Sequence, residues 1–284
     1  MVSDLDRAES FYRAALGFAT VARGRLDARA IAALGGDAGE TAAEIRLRLG
    51  EEEISLVQFA SPGRAYPADS RSDDLWFQHL AIVVRDMPEA YAALEAYAAR
   101  DGGRGSPLPD WRPISRGGPQ TLPASNGGVR AFKFRDPDGH PLELLWFPPG
   151  AGRACWHELA AGAASSFLGI DHSALAVRST ARSVEFYGSL GLHTRERTLN
   201  AGPAQSRLDG LEAAQVEVTS LRPPSAEGPG IELLAYRPGG RTANLALTDL
   251  ASDWIVAAAH EAGPADAVRA VTDPDGHRLL LVNP

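Results

Sequence analysis

FRDPDGHPLELLWF (Phe134–Phe147) and VTDPDGHRLLLVNP (Val271–Pro284) are near copies through Asp-Pro-Asp-Gly-His, then diverge where the first has Glu143 and the second Leu280. Asp-Gly between two alternating segments is a strong hairpin signal, because glycine takes a positive φ at little cost. Both copies therefore read as a strand, a tight turn holding His140 or His277, and a closing apolar strand. The turn explains the repetition of the histidines. It does not explain why a carboxylate is kept in one closing strand and replaced by leucine in the other.

Working outward, further repeats frame this pair. VSDLDRAESFYRAALGF (Val2–Phe18) matches VRSTARSVEFYGSLGL (Val177–Leu192), each a strand end, a helix with a buried Phe-Tyr pair and a glycine stop. HLAIVV (His79–Val84) matches HSALAV (His172–Val177), and NLALTD (Asn244–Asp249) is a weaker relative with Asn in place of His. EISLVQF, PLELLWF, GIELLAY and HRLLLVN form a set of closing strands. In order, these make four units: one to about residue 60, then about 75–147, 168–236 and 242–284. The Pro-, Gly- and Ala-rich run at 149–167 reads as a linker, giving two expected domains, 1–148 and 168–284. The long loop Asp101–Gly128, which holds Trp111, reads equally as a binding loop or a surface insertion.

Composition narrows the function. A chain of 284 residues with 44% hydrophobic and 23% charged residues is expected to be globular with a substantial core. A net charge of −8 argues against nucleic acid or an anionic membrane as partner. No apolar run reaches the ~18–20 residues needed to cross a bilayer. One cysteine, Cys155, leaves no internal disulfide framework and no cysteine zinc cluster, and a cytoplasmic setting is the plain expectation.

Four residues stand out by chemistry. The opening strands offer His79, His172 and Asn244, while unit one would need a residue before Met1. The closing strands offer Ser55, Glu143, Glu232 and Leu280. The two inner units thus each hold one His and one Glu, and the outer units hold neither. A carboxylate flanked by Leu or Ile in a core strand is costly to bury unless it is paired or metal-bound. Placement on a solvated sheet face is the bland alternative. Two imidazoles and two carboxylates at matching positions suit one divalent ion of intermediate hardness, Fe, Mn, Ni, Co or Zn. Such an ion polarises a carbonyl or enediol.

At these residues the chain resembles the vicinal oxygen chelate superfamily, which includes glyoxalase I, extradiol dioxygenases and bleomycin- and fosfomycin-resistance proteins. The resemblance rests on SDLDRAESFYRAALGF, FQHLAIVV, FRDPDGHPLELLWF, GIDHSALAVRSTARSVEFYGSLGL and GIELLAYRP in register. It implies an α+β fold of four βαβββ modules forming two cupped mixed sheets, with module one lacking its first strand. It also implies metal ligands His79, Glu143, His172 and Glu232, with Glu143 or Glu232 as catalytic proton carrier. An extradiol-type iron site in the final module pair would be broken by Asn244 and Leu280. Sequential pairing, one with two and three with four, would leave two half-sites, whereas pairing of module two with three and of one with four, as in monomeric four-module glyoxalases, gives one complete site and one empty cup. Three functions follow: a glyoxalase-like isomerase or lyase, an Fe(II) dioxygenase, or a non-catalytic binder whose cup is lined by Trp76, Trp111 and Trp146. The expected partner is a small chelating molecule, and the expected assembly a monomer or homodimer. His157 is a further candidate acid or base.

Overall fold

A computed structural model describes residues 1–101, 111–224, 228–258 and 267–283. Module one comprises α1 (Leu5–Leu16), β1 (Ala19–Arg25), a short α2 (Ala28–Ala33), β2 (Ala42–Leu49) and β3 (Glu52–Phe59). Asp4 caps α1 by accepting from the Arg7 N–H, and Gly17 ends it at φ 75°, where an L side chain would be strained. Module two comprises β4 (Gln78–Val84), α3 (Met87–Asp101), β5 (Arg112–Pro113), β6 (Gln120–Thr121), β7 (Arg130–Arg135) and β8 (Pro141–Trp146). The expected linker contains α4 (Ala154–Gly162). Module three follows with β9 (Phe167–Ala176), α5 (Thr180–Ser189), β10 (His193–Ala201), α6 (Pro203–Asp209), β11 (Gln215–Arg222) and β12 (Gly230–Tyr236). The last strands, β13 (Trp254–Ala258), β14 (Val268–Thr272) and β15 (Arg278–Val282), form module four. No helix among the described residues is long and apolar enough to cross a membrane.

The α+β class and mixed sheets are as the sequence leads one to expect. Modules two and three share one nine-stranded sheet in the order β10-β11-β12-β9-β4-β8-β7-β5, with β6 paired to β7. Its seam is the antiparallel pair β4–β9, and within each module the first strand runs parallel to the last, β4 with β8 and β9 with β12. Modules one and four instead form two separate three-stranded sheets, β1-β2-β3 and β13-β15-β14. They face each other across a core that includes Ile31, Leu34, Val57, Phe59, Leu250 and Leu280. The second cup is therefore not one continuous sheet.

Register corrects one assignment. Glu143 lies opposite Ala81, two residues beyond His79, and Glu232 lies opposite Ala174, two beyond His172. Leu280 lies opposite Val256 in the same parallel arrangement, so Trp254, not Asn244, holds the histidine position of module four. Asn244–Asp249 is loop rather than strand, because Asp249 captures the Ala246 N–H and the Arg64 backbone and guanidinium. In module one, Val2 N–H donates to Val57 O as Val177 N–H donates to Leu234 O, which places Ser55 at the glutamate position.

The Asp-Pro-Asp-Gly-His turns tie modules together. Asp136 accepts from the backbone N–H groups of Asp138, Gly139 and His140, and from the Tyr12 hydroxyl of module one at 3.1 Å. Asp273 repeats this with Asp275, His277 and the Tyr187 hydroxyl. His140 Nε2 meets Leu250 O at 2.9 Å, and His277 Nε2 meets Ala176 O at 2.8 Å. The buried tyrosines of the Phe-Tyr pairs and the turn histidines are thus structural partners. Back-face helices complete the arrangement: α1 and α3 pack between modules one and two, and α5 between modules three and four.

Candidate metal centre

The seam strands put two histidines on the concave face, and the closing strands beside them add the two glutamates. His79 and His172 rings lie with centroids 5.8 Å apart. His79 Nε2 is 3.0 Å from Glu143 Oε2, and His172 Nε2 is 3.9 Å from the same oxygen and 3.4 Å from Glu232 Oε2. One ligand atom each from His79, Glu143 and His172 falls within 4.8 Å of the others. All four sequence candidates therefore meet in one place, with Glu232 at its edge. His79, Glu143 and His172 are buried, while the Glu232 side chain is 25% exposed. Burial of β8 on both faces removes the solvated-face reading for Glu143.

The donor set fits a divalent ion. His79 Nδ1, His79 Nε2 and His172 Nε2 are buried without a hydrogen-bond partner, although the His79 Nε2–Glu143 distance is short. Such orphaned nitrogens facing carboxylates are costly unless something fills the space between them. His172 is oriented from behind. Its Nδ1–H donates to Asp171 Oδ2 at 3.0 Å, which leaves Nε2 directed at the centre. Asp171 also accepts from Trp156 Nε1 at 2.7 Å and from Arg222 at 2.8 Å. This geometry arises from a bulge: Ala81 pairs with His172 and Ile82 with Ile170, so Asp171 is the extra residue.

The electrostatics divide the four groups. Burial drives His79 down to about 4, with the Lys133 charge adding to it. Burial opposes ionisation of Glu143, but His79 and Lys133 outweigh it and hold the carboxyl down at about 2. Burial likewise opposes protonation of His172, yet Glu232 and Asp171 push it up to about 9. Glu232 is raised, chiefly by burial. Two carboxylates in one site are thus pushed apart, one held ionised and one readier to take a proton.

Several expectations are corrected here. Trp111 does not line the cup; its Nε1–H donates to Leu94 O and its ring packs against Phe132 and Phe134 on the helix side. Trp146 belongs to that same core, and Trp76 lies against the core of modules one and four. Residues 102–110 of the expected loop lie outside the described residues. His157 turns to Ala151 O at 2.7 Å, and its neighbour Trp156 reaches the site instead. Sequence reasoning missed Asp171, Trp156, Arg222 and Lys133. Lys133 carried a signal, being a cation in the aromatic run RAFKFR, as Glu143 is an anion in PLELLW.

The model of the Glyoxalase/Bleomycin resistance protein/Dioxygenase superfamily matches residues 1–144, just over half of the chain. A variant of glyoxalase I from Zea mays superposes with a TM-score of 0.62 at 14% identity, covering 99% of this chain and 89% of that one. A putative dioxygenase from Bacillus subtilis superposes with a TM-score of 0.53 at 12% identity, covering 99% and 82%. At such identities the likeness establishes the fold alone. No curated protein matches the chain.

Proposed function

The chain belongs to the Glyoxalase/Bleomycin resistance protein/Dioxygenase superfamily, and on that premise we propose that it is a divalent-metal-dependent isomerase or lyase acting on a small chelating substrate. The carrying observation is the convergence of two histidines with unpartnered buried nitrogens on two carboxylates of unequal proton affinity. His79, Glu143, His172 and Glu232 would hold the ion. A bound divalent ion supplies Lewis-acid polarisation of substrate oxygens, which acidifies a neighbouring C–H. Glu143, held ionised and fully enclosed, stays in place as ligand. Glu232, more exposed and readier to protonate, takes the proton from one carbon and returns it to another. Asp171, with Trp156 and Arg222 behind it, fixes the His172 ring.

The experiment is metal analysis of protein purified without added metal, followed by Glu232→Gln. We expect about one equivalent of divalent metal per chain, kept in the variant, and loss of solvent-deuterium exchange into the substrate. Absence of stoichiometric metal from the native protein overturns the reading.

A second reading has its own support. His79, Glu143 and His172 alone make a two-His, one-carboxylate set, the donor pattern of non-haem Fe(II) oxygenases. Stoichiometric iron with substrate-dependent oxygen uptake would select it. The division into 1–148, a linker 149–167 and 168–284 is proposed on the same footing. A core of modules three and four lies wholly in the second part, and one of modules one and two lies mainly in the first. A cytoplasmic, monomeric or homodimeric protein is proposed, the single cysteine and the net charge of −8 being in keeping with a reduced setting.

A further inference from the structure

Beside the four candidate ligands lies a buried ion pair that the reaction above does not use. Lys133 on β7 sits directly across the strand pair from Glu143 and is 3% exposed. Its Nζ donates to Asp209 Oδ1 at 2.7 Å, and Gln205 Nε2 donates to Asp209 Oδ2 at 2.7 Å. Asp209, 1% exposed, is the last residue of α6, the short helix that covers the cup from module three. Gln205 Oε1 is buried without a hydrogen-bond partner, while the buried Tyr236 hydroxyl, on the same strand as Glu232, lies against Asp209. An ammonium has three donors, and one neighbouring carboxylate oxygen does not exhaust them.

The other cup of the same molecule is a control. Ala270 lies across from Leu280 as Lys133 lies across from Glu143. The covering helix α2 occupies in module one the place of α6 in module three, between second and third strands, and ends at Ala33 followed by Leu34. Ala33, Leu34 and Ala270 all belong to the apolar core of that cup. Covering a cup thus needs no ion pair, and a buried ion pair is commonly no more stabilising than apolar residues of similar volume. Among the described residues, the pair occurs in the cup that also holds the histidines and glutamates, and Ala270 and Leu34 stand in the other.

We propose that Lys133 recognises a carboxylate of the substrate, taking it in place of Asp209. The substrate class is then a small chelating acid that bears a further carboxylate beside its chelating oxygens. A neutral arm cannot displace Asp209, whereas an incoming carboxylate exchanges one anion for another and leaves the buried ammonium paired. This inference rests on the metal-centre reading.

The test is calorimetric titration of the Mn(II)-loaded protein with tartronate and with lactate, which share a hydroxy-acid chelate and differ by one carboxylate. The wild type is expected to bind tartronate about tenfold or more tightly than lactate. Lys133→Met should bring tartronate down to the affinity of lactate. A double variant, Lys133→Ala with Asp209→Leu, copies the other cup and gives the same readout should the single variant fail to fold. A preference that survives in the variants, or a wild type that binds both acids equally, overturns the role of Lys133 while leaving the metal centre intact. Failure to take up Mn(II) overturns both.

Discussion

Asp171 shows what a single residue can do that its neighbours in sequence conceal. On a regular strand, adjacent side chains point to opposite faces, so Asp171 and His172 would not meet. The bulge at the seam brings Asp171 Oδ2 to His172 Nδ1 and fixes which nitrogen faces the centre. Asp171→Asn is expected to leave the fold intact and weaken metal binding about 10–100-fold, read by competition with a chromophoric chelator; unchanged affinity would show that the ring is held by packing alone. Glu143→Gln should be harsher, removing the one carboxylate near both imidazoles, and metal analysis should find well under one equivalent. Glu143 and Glu232 are legible in sequence because a charge in an apolar strand demands a reason. Asp171 is not, because a bulge has no compositional mark when the extra residue is neither Gly nor Pro.

At the scale of elements, the Asp-Pro-Asp-Gly-His hairpin is a joint between modules. His140 is buried, and although burial disfavours its charge, Asp136 and Asp253 push it up to about 9 against the opposing charge of the N-terminal amine. A folded pKa above the unfolded value of about 6.5 means that protonation favours the folded state. That contribution is full below about pH 6.5 and is lost as the pH rises through about 9. Denaturant unfolding of wild type and His140→Gln should therefore differ most at pH 6 and converge by pH 10; a constant difference would mean that the imidazole acts as a neutral hydrogen-bonding group throughout. The strands and their turns are legible because period-two patterning and Asp-Gly chemistry are local. The first strand of module four is not. NLALTD has better alternation than WIVAA, yet Asp249 binds the Ala246 N–H and Arg64, folding that segment into a turn. The strand falls instead on Trp254–Ala258.

For the whole molecule, four modules build two cups, and among the described residues one of them brings together two histidines and two glutamates. The main sheet takes His79 and Glu143 from one side of α4 and His172 and Glu232 from the other. That pairing is implied by where ligands are kept and lost along the chain, but the separation of the second cup into two sheets is not. It depends on long-range packing of Leu280, Val57 and Ile31 rather than on any local pattern. Because its interior is apolar, this cup should resist conversion. Trp254→His with Leu280→Glu restores the two residue types at their register positions, yet module one contributes only Ser55. The introduced carboxylate would be enclosed among Ile31, Leu34 and Phe59, with the introduced imidazole as its one polar neighbour. A large apolar side chain is also lost, at about 2–5 kcal/mol for comparable buried truncations, and a buried carboxylate with one imidazole and no metal adds its desolvation cost to that. The double variant is expected to melt well below the wild type and still bind one metal per chain by metal analysis. A second equivalent would mean that the cup can be refilled, and that its apolar core is a replacement for lost ligands rather than the reason they cannot return.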